Sequence, residues 1–251
     1  MNLGLKNKVV IITGGTGGIG SQIVTDFLNE RAIVVCLVRN PTKMEKLKVA
    51  LNQQQVPTSE LHSYSCDLMD YENIKFTMLQ ISKDLKRIDV LVNCAGFALE
   101  YPFALINESQ IDSLINLNFK SPILLCQAVL KYMYKNKEGS IINISSVSSV
   151  KKGRGIAVYA SAKAGLDAFT RTLAIEVGRK NIRVNCIRPG IIETNMSKGV
   201  RDRMGETIKS TTSLNRPGTP NEISNMVLFM ASSQASSYLT GECINIDGGL
   251  Y

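Results

Sequence analysis

Val9-Val10-Ile11-Ile12 runs straight into Thr13-Gly14-Gly15-Thr16-Gly17-Gly18-Ile19-Gly20, and this passage from apolar run through glycine-rich loop into helical pattern decides the fold. Beyond the loop, Ile19, Ile23 and Phe27 recur at i, i+4 beside Val24 and Leu28, one apolar stripe of a helix that faces a sheet. Glycine lets backbone amides approach a pyrophosphate, and the helix start adds unpaired N–H groups and a positive dipole end beneath it. The loop reads both as Gly15-x-Gly17-x-x-Gly20 and as Thr13-Gly14-x-x-x-Gly18-x-Gly20. Either pattern alone is a weak signal; set between a strand and an amphipathic helix, it is a dinucleotide cradle. Gly14, Thr16, Gly17, Gly18, Ile19 and Gly20 are the residues expected to line it.

Working outward, further Val- and Ile-rich runs predict strands at 9–12, 32–38, 61–66, 90–94, 140–144, 182–187 and 243–246, mostly separated by segments of helical period. Strands alternating with helices require right-handed crossovers and a parallel sheet covered on both faces. No composition shift, linker or short-period repeat divides the chain. The expectation is one doubly wound, Rossmann-type α/β domain over 1–251.

Composition agrees with a globular chain: 44% of the 251 residues are hydrophobic and 20% charged, with mean hydropathy of +0.03. The longest unbroken apolar stretch is 32–38, far short of the roughly 18 residues a spanning helix needs, so no bilayer crossing is expected. Nothing ahead of the first strand resembles a secretory signal, and a cytoplasmic protein is expected. The six cysteines, Cys36, Cys66, Cys94, Cys126, Cys186 and Cys243, form no C-x-x-C pair. They read as small hydrophobes, five on strands and one on a helix, rather than as a zinc site or disulfide framework. His62 is the single histidine, which leaves no room for a His-rich metal centre or a serine-hydrolase triad.

Lys and Arg outnumber Asp and Glu by 29 to 21, a formal charge of +8. The excess lies in short clusters, among them Lys131, Lys135 and Lys137; Lys151, Lys152 and Arg154; and Arg179, Lys180 and Arg183. Interleaved aromatics and nucleic-acid motifs are absent, so the field suits a phosphate-bearing cofactor or an acidic carrier protein better than nucleic acid; solvated helix faces explain the clusters equally well.

A cofactor with a free 2′-hydroxyl wants an acidic residue where the second strand ends, yet that strand closes Cys36-Leu37-Val38-Arg39-Asn40. Arg39 suits a 2′-phosphate, which predicts NADP over NAD. Asp67, after the third strand, reads either as an acceptor for the adenine amino group or as a plain turn aspartate.

Tyr159-Ala160-Ser161-Ala162-Lys163 sets a phenol and an ammonium four residues apart on one helix face. A positive charge about 5 Å away at an effective dielectric near 20 is worth roughly 3 kcal/mol, enough to lower a phenol pKa by about two units and make a general acid. Ser146 follows the strand at 140–144, where side chains of an open parallel sheet meet the ligand crevice; Ser145, Ser148 and Ser149 are chemically equivalent to it on sequence alone. Asn93-Cys94-Ala95-Gly96 closes the fourth strand, and Asn118 stands inside a helical segment that Asn does not favour.

Taken together, the glycine loop, Asn93-x-Ala95-Gly96, Asn118, Ser146, Tyr159-x-x-x-Lys163, Pro189-Gly190 with Thr194, and Asp247-Gly248-Gly249 resemble, in order and spacing over essentially the whole chain, the short-chain dehydrogenases/reductases. The resemblance implies a seven-stranded parallel sheet, a substrate lid near 195–214, and Asn118, Ser146, Tyr159 and Lys163 as the catalytic set. It selects Ser146 over Ser145, and it implies cofactor contacts by Asn93, Ala95, Gly96, Tyr159, Lys163, Pro189, Gly190, Ile192 and Thr194.

Within that family the sequence is most similar to 3-oxoacyl-[acyl-carrier-protein] reductases, notably over 215–220, 238–241 and the Asp-Gly-Gly-Leu ending. This implies NADPH-dependent reduction of a 3-oxoacyl thioester in fatty-acid synthesis, a homotetramer, and docking of an acidic carrier on Lys137 and Lys180. The alternative is an alcohol dehydrogenase or ketone reductase acting on a steroid, sugar, polyol or quinone. Two departures bear on the choice. Gly17 stands where NADP-dependent members often carry a basic residue, and Phe97-Ala98-Leu99-Glu100-Tyr101-Pro102-Phe103 is more apolar than usual for carrier-protein reductases.

Overall fold

The computed structural model describes residues 2–151 and 153–250; Lys152 of the basic cluster lies outside them. Its strands are β1 (Val9–Thr13), β2 (Ile33–Val38), β3 (Leu61–Ser65), β4 (Val90–Asn93), β5 (Gly139–Ile144), β6 (Ile182–Pro189) and β7 (Cys243–Ile246). They form one seven-stranded sheet in the order β3-β2-β1-β4-β5-β6-β7, with every neighbouring pair parallel. The seven expected strands are all present, with ends shifted by a residue or two. Thr13 joins β1, Pro189 extends β6, and Cys66 and Cys94 fall just past their strands.

The helices are α1 (Gly18–Asn29), α2 (Pro41–Gln53), α3 (Tyr71–Leu85), α4 (Glu108–Ile115), α5 (Ser121–Asn136), α6 (Ala157–Val177), α7 (Lys198–Thr211) and α8 (Pro220–Ala231). Alternation along β1 shows how they cover the sheet. Val10 and Ile12 pack in one layer with Ile23 and Phe27 of α1 and Val227 of α8; Val9 and Ile11 pack in the other with Met78 of α3, Val129 of α5 and Val177 of α6. Both faces are buried, which is why this strand reads as continuously apolar rather than alternating. Helix starts follow the expected chemistry: Asn40 caps α2, Asp70 caps α3, and capping boxes pair Asn107 with Gln110 and Thr219 with Glu222.

One helical run bears on the expectation that no segment crosses a bilayer. The run Glu108–Asn136 is long and apolar enough, by length and composition, to cross a bilayer; counting only unbroken apolar stretches overlooked it because polar residues are scattered through it. Here it belongs to the core, with Leu125, Cys126, Val129 and Met133 buried on the sheet.

The chain builds the sheet outward from β1 to β3, then crosses back to place β4 on the other side of β1. A crevice opens at such a switch point, beyond the carboxyl ends of the strands. Around it the backbone packs at its closest. A Cβ on Gly20 would lie 2.1 Å from the Gly14 carbonyl oxygen. Gly20→Ala is therefore expected to cost about 1–3 kcal/mol and roughly 2–10 °C in Tm, read by thermal denaturation. Gly199→Ala in α7, where a Cβ meets nothing within 4 Å, should leave Tm unchanged or raise it.

Candidate active site

Thr13, at the buried end of β1, accepts two backbone hydrogen bonds on Oγ1, from Cys94 N at 3.1 Å and Ala95 N at 3.0 Å. This clamps the segment after β4 against the glycine loop. Gly14 completes the join: it adopts φ +69°, and a Cβ there would stand 2.9 Å from the Ala95 backbone. Gly17 occupies the N-cap of α1 and makes no side-chain cap, unlike the capped starts of α2, α3 and α4. The first amides of α1 thus face the crevice with no side-chain acceptor of the protein's own, the donor set a pyrophosphate takes up. On that observation the residues fit a dinucleotide.

The other expected cofactor contacts gather around this loop to different degrees. A Cβ on Gly18 would lie 2.5 Å from Thr194 Cγ2, so Thr194 sits directly over the loop; it does not cap α7, whose N-cap is Ser197. Pro189 ends β6, and Gly190 lets the chain pass close to Asp247, 2.8 Å from where its Cβ would be. Ile192 is buried and bridges to Gly218. Arg39 is exposed at the end of β2. Asp67 is exposed too, and its Oδ1 already accepts from Met69 N at 3.0 Å, the turn-aspartate geometry. Asn93 turns its side chain into the layer beside the sheet, donating to Asn143 Oδ1 at 2.8 Å. What it presents to the crevice is the course of its backbone.

The four expected catalytic residues come together across from the loop. Ser146 and Ser145, indistinguishable in sequence, separate clearly. Ser145 is buried and donates to the Lys163 carbonyl at 3.2 Å, pinning α6, whereas Ser146 is part-exposed, accepts from Ser148 N and faces Tyr159. Lys163 lies on α6 one turn after Tyr159, with Nζ 5.8 Å from the phenol ring centre, and donates to the Ile144 carbonyl at 2.8 Å.

Asn118 is fully buried within a π-helical turn, Asn116–Lys120, joining α4 to α5. Its Nδ2 donates to the carbonyls of Phe97 and Leu114 at 2.9 and 3.0 Å, while Oδ1 has no partner among the described residues. A Cβ on Gly96 would come within 2.6 Å of that Oδ1 and 3.5 Å of Lys163 Nζ, so glycine is required where these groups converge.

The electrostatics differ from the simple expectation of a phenol acidified by its lysine. Burial raises the Tyr159 pKa, and the side-chain hydrogen bond with Ser146 pulls it back. Burial lowers the Lys163 pKa to about 8, with only partial compensation from Cys186, Cys94 and Asp167. Desolvation outweighs the pair attraction because both groups leave water together.

Other residues at the site were not singled out from sequence. Thr13 and Asn143 are isolated polar residues in otherwise apolar strands, a usable signal. The Ile144 carbonyl carries none. Leu99, Tyr101, Phe103, Ile106 and Val158 form an apolar cleft beside Tyr159. A larger cavity of about 190 Å³, between Lys8, Glu138 and Arg183, lies at the opposite edge of the sheet and holds none of the expected site residues. Lys137 and Lys180 also belong to that edge, just before β5 and β6, joined through Asn181, whose Nδ2 donates to the Lys137 carbonyl. They stand together, but not with the catalytic residues.

A family model described as Enoyl-(Acyl carrier protein) reductase matches residues 14–251. The chain belongs to the short-chain dehydrogenase/reductase family. It is 39% identical to a 3-oxoacyl-[acyl-carrier-protein] reductase FabG of Chlamydia muridarum, covering all of both chains. It is 37% identical to the protein of that name from Thermotoga maritima, covering 98% of each. A crystal structure from Beutenbergia cavernae, assigned as an NAD(P)-dependent gluconate 5-dehydrogenase with NADP at low occupancy, superposes with a TM-score of 0.91 at 25% identity, covering 99% of this chain and 98% of that one. This short-chain dehydrogenase/reductase is an oxidoreductase that uses a nicotinamide cofactor.

The buried lysine of this short-chain dehydrogenase/reductase yields a signed prediction. Below about pH 8 Lys163 is charged in both states and the fold bears the desolvation cost; between about 8 and 10.5 the folded state releases the proton first, so stability rises with pH through that window. Lys163→Met should therefore raise stability at pH 7 by about 1–3 kcal/mol, allowing for the lost bond to Ile144. The advantage should shrink towards pH 10 in denaturant titrations of the two proteins side by side.

Proposed function

We propose that this chain is an NADPH-dependent reductase of 3-oxoacyl thioesters, working in fatty-acid synthesis as one catalytic domain over 1–251. The reading is carried by the convergence of Tyr159, Ser146, Lys163 and Asn118 opposite the uncapped start of α1, and is supported by relatives that carry the name 3-oxoacyl-[acyl-carrier-protein] reductase.

Bound NADPH supplies the hydride. The loop residues Gly14, Thr16, Gly17, Gly18, Ile19 and Gly20 would line its pyrophosphate, with the first amides of α1, from Gly18 to Gly20, as the free donors, while Arg39 would hold its 2′-phosphate and Asp67 its adenine. Ala95, Gly96 and the backbone at Asn93, with Pro189, Gly190, Ile192 and Thr194, position the nicotinamide half. Arg39 has no acidic partner among the described residues, which leaves its guanidinium available for a phosphate.

Tyr159 gives its proton to the substrate oxygen as charge develops there. Its raised pKa keeps the phenol protonated near neutrality, the state from which an acid must start. Ser146 donates a hydrogen bond to the same oxygen and polarises the carbonyl. Lys163 holds the cofactor ribose and stabilises the phenolate left behind: a charge 5.8 Å from the ring centre is worth about 3 kcal/mol at an effective dielectric near 20. The unpaired Oδ1 of Asn118 would hold a water that returns protons to Lys163 from solvent.

The apolar residues beside Tyr159 favour a second reading, an alcohol dehydrogenase or ketone reductase acting on a substrate other than an acyl thioester. Lys137 and Lys180 do not help choose. A carrier docked on them would stand about 20 Å away along the length of β5, roughly 3.3 Å for each strand residue. Exposed Ile115, Tyr134 and Ile175 on the helical segments around the site support a homotetramer, and the six free cysteines fit a cytoplasmic location.

Steady-state assays with NADPH should show turnover of acetoacetyl thioester; reduction confined to cyclic or aromatic ketones would replace this reading with the second. Tyr159→Phe should lose about 10²–10⁴ in rate or more while still binding NADPH, read by calorimetry. Arg39→Asp should reverse a preference for NADPH over NADH of about ten- to a hundredfold, and a wild type that already prefers NADH would refute the phosphate assignment.

A further inference from the structure

The face of α6 that lies on β6 changes character along its length. At the far end Leu173, Ala174 and Val177 pack with Ile182 and Val184 in one apolar layer. Towards the crevice the helix turns Asp167 and Lys163 inward, and the same face of β6, two and four residues on from Val184, carries Cys186 and Arg188. Arg188 Nε donates to Asp167 Oδ2 at 2.8 Å, with the carboxylate buried and the guanidinium nearly so. Cys186 Sγ donates to Asp167 Oδ1 at 3.3 Å, so both carboxylate oxygens are occupied. Arg188 Nη1 reaches the Cys243 carbonyl and Asn245 Oδ1 on β7, each at 3.5 Å. One guanidinium therefore joins α6, β6 and β7.

A buried ion pair is a poor source of stability, because the desolvation of two charges offsets their attraction. What it contributes is direction. Apolar contact is non-directional, whereas a charge-assisted hydrogen bond fixes both distance and angle. The pair also stands where a small slip of helix on strand would matter. Asp167 follows Lys163 by one helical turn and Tyr159 by two, and Arg188 immediately precedes Pro189 and Gly190, where the chain passes close against Asp247.

We propose that Asp167 and Arg188 are positioning residues: their ion pair sets the register of α6 against β6 and so fixes the Tyr159 phenol and the Lys163 ammonium relative to the Pro189–Gly190 segment. The proposal rests on the roles given above to Tyr159 and Lys163. It needs no access from solvent, since every group in it is held inside the subunit.

Asp167 has a second effect on the same helix. The groups that act on the buried ammonium are Cys186 on β6, Cys94 just past β4 and Asp167 on α6 itself, with the Tyr159 ring on its other side. Asp167 is the one carboxylate among them. Its negative charge favours the protonated lysine and so works against the desolvation that draws Lys163 down to about 8. An amide in its place would let Lys163 release its proton at lower pH.

The test compares Asp167→Asn, Arg188→Lys and the apolar double variant Asp167→Leu with Arg188→Met, each as the full-length protein in its native assembly. Apolar groups of similar volume commonly replace a buried ion pair without loss of stability, so the double variant should keep its Tm. Its kcat should fall about 10- to 100-fold, the loss that a small misplacement of reacting groups produces. Its affinity for NADPH, read by calorimetry, should change little because the glycine loop is untouched. Arg188→Lys keeps the charge without the guanidinium geometry and should retain part of the lost rate. Asp167→Asn should move the alkaline fall of kcat to lower pH by about one unit, a displacement that loosened packing would not cause. Wild-type kcat in the double variant, or a kcat that falls in Arg188→Lys only as far as Tm and NADPH affinity fall with it, would overturn the positioning role. An Asp167→Asn pH profile that coincides with wild type would overturn the electrostatic effect. Full activity in Tyr159→Phe and Lys163→Met would instead defeat the proposed function itself.

Discussion

The paired hydrogen bonds from Cys94 N and Ala95 N to the Thr13 hydroxyl hold together everything the site requires. They fasten the end of β4 to the end of β1 across the one place where the sheet changes direction. Gly14 then brings the loop onto Ala95, and Gly96, the residue after the clamp, opens onto Asn118 and Lys163. A cradle built from one strand and a proton-handling cluster built from another thus share a single fixed boundary. Because the acceptor is buried and both donors are half-buried, losing the hydroxyl would leave two amides without a protein partner, a cost that falls on geometry as well as stability.

Burial is the second organising constraint. Lys163 and Asn118 sit in the interior with fewer partners than their polar atoms can use, and the structure tolerates this because the large apolar layers on both faces of the sheet hold α5 and α6 in place. Desolvation sets the direction of both titrations, the phenol upward and the ammonium downward. It keeps the phenol in its acid form and the ammonium near its point of release.

Most of the architecture was legible because period and chemistry agreed. A run such as 9–12 is β-branched and flanked by glycine, and the stripe at Ile19, Ile23 and Phe27 has no other use than to face a sheet. The site was legible in part. Tyr159 and Lys163 are tied by helix geometry, so four residues of spacing fix their neighbourhood, but the choice between Ser145 and Ser146 depends on which hydroxyl is spent on the backbone of α6 and which is left facing the Tyr159 phenol, and a motif was needed to make it. The inward turn of Asn93 and the remoteness of Lys137 and Lys180 escaped notice for a common reason. Strand residues alternate between layers and strand ends alternate between edges, so proximity in a motif list says nothing about the side of the sheet on which a group emerges.

The π-turn at Asn116–Lys120 inserts one extra residue into what would otherwise be an unbroken α-helix. That residue sets the angular phase between α4 and α5. Excising any single position there would regularise the backbone but swing Asn118 by about 100° around the axis, since each residue turns an α-helix by 360°/3.6. Insertions and deletions in this stretch are thus more damaging than most substitutions, and two sequences of equal composition that differ by a one-residue offset would place different side chains beside Gly96.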